Sequence, residues 1–124
     1  MSAVLERLLR YVQYDTQSDD TSPTYPSTAK QRVLLEALRD ELQQMGLTDV
    51  SMDEYGYVMA TVPATSSHAV PTIGFIAHVD TSPEMSGTNV KPLVHRAYDG
   101  RDLVFPDAPD VVLRASEWPA LAAR

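Results

Sequence analysis

Cysteine is absent from this chain of 124 residues. That excludes disulfides and a cysteine-type zinc site, and it leaves the redox compartment unreadable from thiols. Basic charge is scarce: 10 Lys and Arg stand against 17 Asp and Glu, for a formal net charge of -7 and a pI near 4.7. Nucleic acid and anionic membrane both select clustered cations, so neither is expected as a partner. Long apolar runs are missing as well. None approaches the ~20 residues needed to cross a bilayer. The opening SAVLERLLRYVQ is charged within a few residues, unlike a signal peptide. A cytoplasmic protein is the expectation. Internal repeats and low-complexity segments are not seen, and neither is a nucleophile elbow, a phosphate loop or a dinucleotide fingerprint.

What is present is a globular balance, 44% apolar and 22% charged. The length suits one domain, and a chain of this size buries roughly two-thirds of its unfolded surface. Leu5, Leu8, Leu9 and Val12 recur at helical spacing and predict a short helix over 3–13. DTQSDDTSPTYP, with two prolines, reads as a loop. Thr28-Ala29-Lys30-Gln31 fits a capping box, in which hydroxyl and amide satisfy the orphan N–H groups of a helix start. Leu34, Leu35, Leu38, Leu42 and Met45 then form an apolar stripe that reads as core, and Gly46 falls where a left-handed C-cap belongs. Short strands are expected at 49–52 and 57–62, with a turn at Gly56. Thr72–Val79 is mostly apolar and suits a central strand covered on both faces. A hairpin over 94–105 would turn at Asp99-Gly100. The tail from Asp107 has no clear period. The pattern is α/β: an incomplete mixed sheet with flanking helices, like the front part of a larger domain.

His78 and Asp80 end the apolar segment two positions apart. Residues i and i+2 of a strand share a face, and ligands gather at the carboxyl ends of strands in open α/β sheets. An imidazole there can bind a metal through one nitrogen while a carboxylate orients the other. It can equally be a hydrogen-bonded strand-end histidine, the commoner arrangement, since a catalytic zinc site takes about three protein ligands and an open position. His68 in a loop and His95 in the candidate hairpin read as surface residues. Asp15, Asp19 and Asp20 read as solvated loop carboxylates.

GFIAHVDTSPEMSGTNVKP, Gly74–Pro92, resembles the M20 zinc-peptidase family, and within it the branch that removes the N-terminal residue from tripeptides. Asp15-Thr16-Gln17-Ser18, Pro26-Ser27-Thr28 and Met59-Ala60-Thr61 match that branch in the same order. The resemblance implies residues 1–124 as the N-terminal portion of an M20-type catalytic domain, without the lid domain. It implies a two-zinc hydrolase acting on tripeptides, with His78 as a metal ligand and Asp80 as the aspartate that orients it and counts as catalytic. A metal-bridging water would attack the scissile carbonyl, by Lewis-acid activation of both. The family's bridging aspartate, its glutamate pair and its later ligands do not occur between Ser82 and Arg124. The chain by itself is therefore expected to be inactive, with strand edges and apolar faces open to self-association. Two other readings fit less of the sequence: a non-catalytic interaction module, and an M20 amidohydrolase acting on acylated amino acids. The TSPEMSGTNVKP continuation argues against the second.

Overall fold

The computed structural model describes residues 2–122. They form two compact units, divided between Pro92 and Leu93.

The first unit opens with α1 (Ala3–Tyr11), capped by Ser2, whose Oγ accepts from the Leu5 N–H at 3.3 Å. Glu6 in its first turn and Arg10 in its last complement the helix dipole. α2 (Gln31–Gln44) carries the only buried leucines among the described residues, Leu34 and Leu35. Leu38 and Leu42 are half-buried and Met45 is exposed, so the stripe is covered at its N-terminal end only. The helix ends as its sequence predicts. Gly46 takes φ +88°, its N–H reaches Gln43 O at 2.9 Å, and the Leu47 N–H reaches Leu42 O at 3.3 Å. That is a Schellman motif. The start differs from expectation. No side chain caps α2. The Thr28 hydroxyl is spent on the Gln17 carbonyl at 2.9 Å, and the Gln31 amide on Ser27 Oγ at 3.1 Å. A tertiary bond has outcompeted the local box.

A small antiparallel hairpin follows, β1 (Ser51–Met52) with β2 (Val58–Met59), shorter than expected, and α2 lies against both strands. Its turn is closed by Asp53, whose Oδ1 accepts from the Tyr57 N–H at 2.8 Å. Gly56 is required there: φ is +91°, and a Cβ would stand 2.9 Å from Leu35 Cδ1.

Thr72–Val79 forms no strand. The segment has no ladder partner among the described residues, and a strand exists only through pairing. Its apolar side chains before Val79 stand in solvent, with Phe75 95% and Ile76 100% exposed. The expected mixed sheet is thus replaced by two separate two-stranded antiparallel sheets.

The second sheet belongs to the second unit: β3 (Leu103–Phe105) with β4 (Ala108–Leu113), then a 3-10 turn (Ala115–Glu117) and α3 (Pro119–Ala122). The expected hairpin over 94–105 is displaced. Asp99-Gly100 does turn, with Gly100 at φ +84°, but Tyr98 OH donates to Arg101 O at 2.6 Å and Arg101 pairs with Asp99 at 2.7 Å. This closes a local polar turn, and the strands pair only from Leu103. The tail without clear period supplies β4, whose register shifts beside Phe105 and so accommodates Pro109. Among the described residues no helix is long and apolar enough to cross a membrane.

Candidate functional site

The loop at 14–18 and the segment from Thr81 to Thr88 are joined like two sides of a seam. The Thr81 N–H donates to Thr16 O at 3.1 Å, and the Ser18 N–H donates to Thr81 O at 2.9 Å, a parallel bridge outside any named strand. Ser18 Oγ adds a second bond to Thr81 O at 2.9 Å, and Gln17 Nε2 reaches Pro83 O at 2.8 Å. Thr16 is buried at the centre of the seam.

Asp15 fastens its far end. Thr88 Oγ1 donates to Oδ2 at 2.8 Å, while Oδ1 takes Lys30 Nζ at 2.9 Å and the Gln17 N–H at 3.1 Å. The Lys30 ammonium, then the Thr88 hydroxyl and the Gln17 N–H, hold the Asp15 carboxyl below the usual carboxylate range.

Asp80 immediately precedes this seam. Its Oδ1 and its own carbonyl oxygen both lie 3.0 Å from His78 Nδ1. The ring therefore offers Nε2 outward, and the side chain is 82% exposed. The tautomer that suits this contact has Nδ1 protonated and Nε2 bare. Both residues sit on the rim of an open cleft of about 880 Å³, whose lining includes Leu35, Leu38, Tyr57 and Phe75. Glu41 lies on the same cleft. It accepts from Arg7 Nε at 2.7 Å, Arg10 Nη2 at 2.7 Å and Tyr11 OH at 2.6 Å, tying α1 to α2. Those donors, Tyr11 and Arg7 foremost, lower its pKa to about 2.

His78 and Asp80 are thus brought together, while His68 and His95 are exposed. Among the described residues no group of three or more His, Cys, Asp or Glu could hold a metal ion. Zinc takes about three protein ligands, and His78 with Asp80 supplies one bare ring nitrogen. The donors present do not fit a complete zinc site. One residue reads differently in the structure than in the sequence, and another drew no reading at all. Asp15 is the fastener of the seam rather than a solvated loop carboxylate, and Glu41 is a helix-to-helix tie that the apolar stripe concealed. Asp15 lies within the DTQS tetrad that carries the family resemblance, the one signal that could have singled it out.

No protein-family model matches the chain. Curated proteins do. Peptidase T of Halothermothrix orenii is 50% identical over 121 residues, 98% of this chain and 30% of that protein. Peptidase T of a Geobacillus species is 49% identical over 119 residues, 96% of this chain and 29% of the relative. For an Exiguobacterium peptidase T the values are 51% over 118 residues, 95% and 29%. The chain spans about three-tenths of the length of these curated relatives. At about half identity over nearly all of its residues, the chain is related to peptidase T.

Proposed function

We propose that these 124 residues are the N-terminal portion of the catalytic domain of an M20-type zinc aminopeptidase, cytoplasmic and acting on tripeptides. His78 is a metal ligand through Nε2, and Asp80 is the carboxylate that orients it. The observation that carries this reading is the 3.0 Å contact of His78 Nδ1 with Asp80 Oδ1, in a side chain that remains open at its other nitrogen. A ligating histidine characteristically has its second nitrogen engaged this way, which fixes the ring and raises the basicity of the ligating atom. The apolar cleft beside the pair has room for a peptide side chain. The similarity to peptidase T supports peptide hydrolysis as the reaction.

The donors among the described residues do not complete a zinc site, so no reaction step is assigned to the chain alone. By itself it is inactive in this reading. Calorimetric titration of the purified chain with zinc is expected to give weak binding or none, indifferent to His78→Ala. Tight binding lost in His78→Ala would show a complete site and overturn the inactivity. A chimera tests the function directly. In it, this chain replaces the matched segment of the Halothermothrix orenii protein. Tripeptide cleavage by the chimera, abolished by His78→Ala, is the expected result. A chimera that folds and cleaves equally well with His78→Ala refutes the assignment.

A further inference from the structure

His78 and Asp80 are neighbours in sequence, but their mutual placement depends on what anchors the chain beyond them. Over residues 72–77 the backbone joins no ladder among the described residues and the side chains are exposed. After Asp80 it is gripped at once, because Thr81 exchanges backbone hydrogen bonds with Thr16 and Ser18. The grip is continued by Asp15, whose two oxygens accept from three parts of the chain: Gln17, Lys30 and Thr88. Lys30 Nζ also reaches Gln17 Oε1 at 3.3 Å, which keeps the cation over the loop. Gly87 presses against the same carboxylate so closely that a Cβ would stand 2.9 Å from Oδ1. The carboxylate and the segment it holds therefore fit without slack.

We propose that Asp15 is a positioning residue for the His78–Asp80 pair: by fastening Thr88 and ordering the 14–18 loop against Thr81, it sets how Asp80 meets the imidazole. The inference rests on the reading of that pair as the functional one. Asp15 touches neither member of it. It acts through Thr88 at one end of the segment and through the Thr16 and Ser18 backbone at the other. A charge-assisted acceptor with three donors is a far stiffer anchor than a solvated loop side chain.

The test is the tautomer of His78, read from the ¹⁵N shifts of its ring nitrogens in the full chain at a pH where the ring is neutral. A tie that served only the global fold would leave that equilibrium unmoved in variants that stay folded. Asp80→Ala is the control and is expected to weaken, without abolishing, the bias toward protonated Nδ1, because the carbonyl of residue 80 still accepts from the ring. Asp15→Ala and Thr88→Val are expected to move the tautomer ratio toward that of Asp80→Ala, with Asp15→Ala the larger shift. Asp15→Asn still accepts from Thr88 and Gln17 and is expected to restore most of the original ratio. Gly87→Ala, which pushes on the carboxylate from the other side, is expected to shift the ratio in the same sense as Thr88→Val. Unchanged ratios in both Asp15→Ala and Thr88→Val, with Asp80→Ala responding, overturn the proposal and leave the paired His78–Asp80 reading standing. An unchanged ratio in Asp80→Ala overturns the side-chain pairing and leaves the carbonyl of residue 80 as the acceptor that orients the ring. If Asp15→Ala loses the amide dispersion of the folded chain, Thr88→Val decides by the same criterion.

Discussion

Two adjacent stretches of the first unit behave in opposite ways. Thr72–Val79 is mostly apolar and stands largely in solvent, while Thr81–Thr88 is mostly polar and is fastened at both ends, through Thr81 and Pro83 at one and Thr88 at the other. Ordinary expectation reverses this, since apolar residues are the ones usually covered. The difference lies in where each stretch finds its partners. A backbone N–H, a hydroxyl or a carboxylate needs one complementary atom, and the loop at 14–18 supplies it. An apolar strand needs a ladder on its edges and a layer on each face, which the described residues do not provide. Apolar content therefore counts toward stability here only where α2 and the first hairpin cover it.

Leu35 and Phe75 test this most strongly. Leu35 is 8% exposed and packs against Gly56, whereas Phe75 is 95% exposed. Leu35→Ala is expected to lower the unfolding free energy in urea by roughly 2–5 kcal/mol. A Phe75→Ala loss of similar size would break the comparison. Next in size is Glu41→Gln, which weakens the tie between α1 and α2 and is expected to cost roughly 1–2 kcal/mol. The same carboxyl predicts a pH dependence. Its pKa is about 2 in the folded chain against an ordinary 4.5. A depressed folded pKa means stability that is complete above about 4.5 and is lost as pH falls from there toward 2. Urea midpoints measured across that window should fall less steeply in Glu41→Gln than in the parent. The smallest effect on stability is expected from Phe75→Ala itself, within about 0.5 kcal/mol. The same change, combined with Ile76→Ser, is expected to reduce concentration-dependent self-association in sedimentation velocity, because it removes the apolar edge left uncovered. Undiminished association would place the contact elsewhere.

Much of the helical structure was legible in the sequence because its signals are local. The leucine spacing of α2 and the glycine after it need no distant residue to be read. The start of α2 was not legible, because the hydroxyl expected to cap it is taken by Gln17, 11 residues upstream. The strand at Thr72–Val79 was misread for a related reason: its composition describes a burial that its neighbours here do not give. At Asp99-Gly100 the turn was legible and the strands were not, since a local ring of polar contacts occupies the residues that would have paired. The pairing of His78 with Asp80 was anticipated from strand geometry that is not present; the contact arises in an unpaired segment, through the short reach between residues two apart. The partner of Asp15 could not, because Thr88 lies 73 residues away and no pattern in the sequence joins them.

That separation has a kinetic meaning. Closing a loop costs entropy that rises only with the logarithm of its length, yet a distant contact must wait until the chain has searched for it. The turn after α2 and the small hairpin involve near neighbours and can form early. The Asp15–Thr88 bond, across 73 residues, is therefore expected to form after them. Hydrogen exchange at the Thr81 amide should accordingly be faster than at Leu38 within α2. On that expectation the alignment of His78 with Asp80 belongs to the most complete conformer, reached only after both helices have formed.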